Sequence, residues 1–159
     1  MKKGAKSVTQ YENAPFDERK KALGDTSEVA FERWAKKHGL PVVRLGFHRP
    51  PFKKFYRIDE RLRLMPDYIC EGESTVFIEV KGCGNEGLKL KLNSLDVMAY
   101  WDEEFHDVKI FAYNSATKKY SLIDFRQVDA LTADKDVHSF SDGVKHYVIP
   151  IDELTWEDM

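Results

Sequence analysis

The chain has 159 residues, 42% of them apolar, which suits one globular domain with one core. Ten Phe, seven Tyr and three Trp exclude a tail-like disordered chain. No apolar run approaches the roughly 20 residues of a membrane-spanning helix, and the basic N-terminus lacks the apolar stretch of a secretory signal. Cys70 and Cys83 are too few for a disulfide framework or a cysteine zinc site, so both are expected as reduced thiols of a cytoplasmic, soluble domain. Charge nearly balances, 25 Lys+Arg against 27 Asp+Glu, yet its distribution is uneven. From Ser121 onward nine acidic residues face three basic ones. Between Arg44 and Leu64 stand Arg44, Arg49, Lys53, Lys54, Arg57, Arg61 and Arg63, interleaved with Phe47, Phe52, Phe55 and Tyr56. Such a mixture has the make-up of a surface that faces a polyanion.

Residues 1 to about 23 carry no periodicity and are expected as a flexible arm. A helix is predicted to start at Asp25 or Thr26, with Glu28 in its first turn and Val29, Ala30, Phe31 and Trp34 following, and to stop at Gly39 before Leu40-Pro41. Val42 to Gly46 reads as a short strand and Pro50-Pro51 opens a loop, with a further extended piece near Phe55 to Ile58. Two strands, Pro66 to Cys70 and Thr75 to Lys81, flank the hairpin-type link Glu71-Gly72-Glu73-Ser74. Leu88 to Trp101 fits a helix with one buried stripe. Strands at Val108 to Tyr113 and Tyr120 to Ile123, a short helix or turn at Phe125 to Leu131, and a last strand at His146 to Ile151 lead to an acidic tail. The order predicts an α/β fold with a mixed central sheet flanked by helices. The domain layout expected is an arm over 1–23, a core over 24–113, and C-terminal strands and tail over 114–159 packed on that core.

Chemistry concentrates in Pro66-Asp67 and, after eleven intervening residues, Glu79-Val80-Lys81. Strand alternation puts Phe77, Glu79 and Lys81 on one face and Val76, Ile78 and Val80 on the other. The hairpin can bring Asp67 close to Glu79. Two carboxylates repel unless a divalent cation joins them, and a charged pair inside a core-type strand is costly unless something uses it. Lys81 beside such a cation can orient a water and stabilise charge developing on phosphate.

Read as PD…EVK, these residues resemble the PD-(D/E)xK nuclease superfamily, the restriction-endonuclease-like fold with its α-β-β-β-α-β core. The stretch from Gly24 to Gly39 looks like that family's first core helix, and the position of Glu28 matches archaeal Holliday-junction resolvases and related small, phage-type nucleases. Glu32, one turn later on the same helix face, is the competing carboxylate. The resemblance covers about Asp25 to Tyr113. It implies that Asp67, Glu79 and the Val80 main-chain carbonyl ligate Mg²⁺, or Mn²⁺ in its place, with Glu28 completing the shell. Lys81 would position the water that displaces the 3′ oxygen of a phosphodiester. It also implies DNA as partner, on branched or otherwise structured substrate, and a homodimer. The alternatives are an end-processing nuclease and a non-catalytic protein of the same fold that binds nucleic acid or protein.

Lys53, Lys54 and Arg57 are the candidate backbone-phosphate contacts. Lys89 and Lys91, expected at the start of the second core helix and on opposite sides of it, are further DNA candidates. His38, His48, His106, His138 and His146 show no metal-ligand spacing. The glycines of Gly82-Cys83-Gly84 are expected to let the chain turn tightly beside the site.

Overall fold

The computed structural model describes residues 16–46 and 57–159, with side chains from residue 26 onward. Helix α1, Phe16–Lys37, starts well before Asp25, so residues 16–23 of the expected arm are helical. The run Glu18 to Leu23 holds strong helix formers, and Gly24 costs only about 1 kcal/mol inside a helix, too little to stop it. Residues 1–15 lie outside the described residues. The helix ends as expected at Gly39, whose φ of +64° suits glycine, with the Leu40 N–H donating to the Ala35 carbonyl at 2.9 Å.

Strand β1, Val42–Arg44, is followed by the short helix α2, Glu60–Arg63, then β2, Tyr68–Glu71, and β3, Thr75–Gly82. Phe55 and Tyr56 of the further extended piece lie outside the described residues, and Arg57 and Ile58 join no strand. Next come β4, Leu88–Lys91, and α3, Leu92–Glu104. Thus the predicted helix over 88–101 begins as a strand. Leu88 and Leu90 are fully buried while Lys89 and Lys91 are not, a period of two that overrides the helical spacing from Leu88 onward. Strands β5, Val108–Asn114, and β6, Lys119–Asp124, follow, then a 3₁₀ turn at Phe125–Gln127 and α4, Val128–Thr132. The chain closes with β7, His138–Ser139, β8, Lys145–Ile149, a 3₁₀ turn at Ile151–Glu153, and β9, Glu157–Asp158.

The fold is α/β, with a mixed sheet flanked by helices. Six strands take the order β1-β2-β3-β5-β6-β9, and β4-β8-β7 make a second, three-stranded sheet. β1, β2 and β3 run antiparallel, with Arg44 opposite Tyr68 and Tyr68 opposite Ile78. β5 lies parallel to β3, reached by the crossover through α3. The acidic tail supplies β9, an edge strand on β6 that the sequence reading missed. No helix among the described residues is long and apolar enough to cross a membrane.

The main sheet buries both faces, so the described residues form two apolar clusters rather than the single core expected. On one face α1 lays Ala30, Phe31, Trp34 and Ala35 against Tyr68, Ile78, Val80, Phe111 and Tyr120. Phe31 contacts the rings of Tyr68 at 4.8 Å and Phe111 at 5.2 Å, distances at which aromatic pairs attract beyond simple area burial. On the other face Val97, Met98 and Trp101 of α3 pack on Phe77, Val108 and Ile110, together with Leu88, Leu90 and Ile149 of the small sheet. Gly84 takes part in the expected turn, its carbonyl accepting from the Gly87 N–H at 3.1 Å, and Gly87 is the glycine whose geometry excludes a side chain. Its φ is +118°, and a Cβ there would stand 2.3 Å from the Ile149 carbonyl oxygen.

Candidate active site

The β2–β3 hairpin brings Asp67, Glu79 and Lys81 to one end of the main sheet. Pairing ends at Tyr68–Ile78, and one further step of that register would set Asp67 opposite Glu79, on the face that β3 shares with Phe77. Asp67 Oδ2 accepts from the Val80 N–H at 2.7 Å, finishing in side chain the ladder that β2 leaves unfinished. Two steps beyond Tyr68–Ile78 the same register would oppose Pro66 to Val80. Proline has no N–H, so the antiparallel ladder cannot satisfy the Val80 carbonyl from that side.

Glu79 is 7% exposed and forms a close ion pair with Lys81. Burial, and then the negative charge of Asp67, push its carboxyl up to about 7 against the pull of Lys81. For Lys81, burial favours the neutral amine, but Glu79 and Asp67 together outweigh it and hold the ammonium above its ordinary value. Lys81 therefore stays charged at neutral pH.

The two helix carboxylates part company. Glu28 is buried and closely paired with Arg44 of β1, and it is near enough for its charge to act on Glu79. Glu32 instead accepts from the Tyr68 hydroxyl at 2.7 Å. Burial and that bond raise the tyrosine's pKa. Of the pair, Glu28 is the one within electrostatic reach of the hairpin site. Arg44, read from sequence only as part of a basic run, has a specific partner here, and the signal missed was its place at the end of the apolar Val42-Val43 strand.

Among the described residues no group of three or more His, Cys, Asp or Glu side chains stands ready to hold a metal. The physical reason is visible in the pairings: Glu79 is engaged by Lys81, Glu28 by Arg44, and Asp67 by the Val80 amide. The donor set itself, two neighbouring carboxylates and a main-chain carbonyl that the β2 side leaves unpaired, is all oxygen, and its chemistry fits a hard divalent cation. Such an ion would remove the Asp67–Glu79 repulsion that the fold otherwise bears.

The remaining candidates scatter. Lys53 and Lys54 lie outside the described residues, and Arg57 is exposed. Lys89 and Lys91 stand on β4 rather than a helix, so two-residue spacing turns them to the same side, where both ammonium groups lie under 6 Å from the Phe140 ring centre. Lys89 also pairs with Glu86. Cys70 and Cys83 are free, buried thiols in separate apolar clusters, and burial pushes Cys83 up to about 11. Comparison of the chain with models of known protein families finds no match, and comparison with curated proteins finds none either.

Proposed function

We propose that the protein is a Mg²⁺-dependent DNA endonuclease of the restriction-endonuclease-like fold, hydrolysing phosphodiester bonds on branched or otherwise structured DNA. The observation that carries this reading is the convergence of Asp67, Glu79 and Lys81 at one sheet end, with Glu79 buried between an opposing carboxylate and an ammonium. The order α1-β1-β2-β3, crossover helix and parallel β5 supports it, as does the placing of Glu28 beside the same strands.

Asp67, Glu79 and the Val80 carbonyl would hold the cation, and Glu28 would join them on release from Arg44. The bound cation supplies Lewis-acid polarisation of the phosphate and a more acidic water. Lys81, charged and 28% exposed along its side chain, stands beside Glu79. It donates to the attacking water and to the phosphate oxygens on which charge accumulates as the bond to the 3′ oxygen breaks. Asp67 keeps the hairpin end closed through Val80, fixing where Glu79 and Lys81 stand.

Mg²⁺-dependent cleavage of plasmid, linear, single-stranded and four-way-junction DNA tests the reading. Lys81→Ala and Asp67→Ala should each lower the rate by about 10³-fold or more, of the order seen when one stabilising group is removed from a preorganised site. Cutting at the parental rate by either variant refutes it. The engagement of Glu79 by Lys81, of Glu28 by Arg44 and of Asp67 by the Val80 amide supports a second reading, a non-catalytic nucleic-acid- or protein-binding protein of this fold. That reading expects DNA binding with no cleavage under any divalent metal.

A further inference from the structure

On α1, Thr26, Val29 and Arg33 form a stripe at helical spacing that faces away from Glu28 and toward the turn joining β5 and β6. Between this stripe and Tyr113 and Lys118 lies a cleft of about 330 Å³. Among the described residues two cationic side chains and two hydroxyl-bearing residues line it, and no carboxylate does. Neither Arg33 nor Lys118 is ion-paired with a described residue. Tyr113 lies opposite Gly82 in the β3–β5 register, one residue beyond Lys81, so the cleft and the hairpin site share one end of the sheet on its two faces.

Lys118 is the only non-glycine with positive φ among the described residues, at +59°. Its N–H donates to the Asn114 carbonyl at 2.9 Å, while the Asn114 side chain accepts from Ala116 and Thr117, so the turn is locked in this form. Glycine would sit there without strain. A lysine at a strained position, with its side chain at a cleft that already holds Arg33, is spent on something the fold does not need.

We propose that this cleft binds a backbone phosphate of a nucleic-acid strand, at a distance from the bond being cut. Arg33 and Lys118 neutralise it, and hydroxyl groups orient it. The inference deepens the nuclease reading and rests on it for the identity of the strand. A strand held at both places passes over the ends of β3 and β5, with α1 between them: Glu28 faces one contact and Arg33 the other.

Fluorescence anisotropy with labelled duplex and single-stranded oligonucleotides, in Ca²⁺ over a salt series, tests it on the full chain. The pair Arg33→Gln with Lys118→Gly should weaken binding about tenfold or more and lower the log–log salt slope by about 0.9 for duplex, the contribution of the one phosphate the cleft neutralises. Lys118→Gly alone should raise Tm while weakening binding, so the loss is not a folding defect. Val29→Lys should tighten binding and Val29→Glu should weaken it. Unchanged affinity and slope in the double variant overturn the cleft, whether or not Lys81→Ala loses cleavage. A Tm rise with inorganic phosphate that the double variant lacks, without any change in oligonucleotide affinity, overturns it too, marking a free-anion site.

Discussion

The two faces of β3 solve opposite problems with alternate residues of one strand. Toward α1, Ile78 and Val80 meet Phe31, Tyr68 and Phe111 in a cluster that only stabilises. Toward α3, Phe77 packs on Trp101, but Glu79 and Lys81 carry charge into surroundings that disfavour it. A fold selected for stability alone would place apolar side chains on both faces, as central strands of such sheets do. The difference teaches that the α1 face bears the stability from which the site face draws.

Adjacent positions should therefore respond with opposite signs. Ile78→Ala, at a site 1% exposed, should cost about 2–5 kcal/mol in denaturant unfolding. A cost under 1 kcal/mol would break the contrast. Glu79→Gln should abolish cleavage yet raise metal-free stability at pH 8 by about 2 kcal/mol, since a buried carboxylate facing Asp67 no longer has to ionise. The pH dependence carries the same sign. A carboxyl raised in the fold is neutral in both states below its unfolded value, so its contribution is complete there and is lost as pH rises through about 7. Lowering the pH from 8 to 5.5 should raise the Tm of the metal-free parent, and Glu79→Gln should flatten that profile.

A smaller effect sharpens the comparison. At ten times its dissociation constant Mg²⁺ should stabilise the parent by about 1.4 kcal/mol, read as a Tm shift, and leave Glu79→Gln unmoved. An equal shift in both would place the ion elsewhere. Smallest of all, Tyr68→Phe removes one hydroxyl bond to Glu32 on the stabilising face and should cost about 1 kcal/mol, with cleavage retained.

The hairpin was legible in sequence because its signals are local. Alternation, a Gly-containing link and Pro66 act within a few residues of one another. The placing of Asp67 near Glu79 follows from the hairpin register carried one step further. β4 was misread because Leu88, Leu92 and Leu95 satisfy helical spacing at the same time as Leu88 and Leu90 satisfy strand spacing. Only Tyr147 and Ile149 of β8, more than fifty residues on, decide between them. β9 offered no pattern at all: Glu157 and Asp158 are charged, and they pair with β6 through main chain, the Tyr120 hydroxyl and Lys119. Choosing between Glu28 and Glu32 needed their partners, Arg44 and Tyr68, which spacing along a helix does not reveal.

The bond from the Val80 amide to Asp67 gives the molecule a reporter of its own state. An amide proton held by a carboxylate resonates well downfield and exchanges slowly with solvent. A cation coordinated by Asp67 must draw charge from the oxygen that holds this proton. One backbone resonance in a nitrogen-15 spectrum would then follow occupancy of the site directly, with no substrate in the tube.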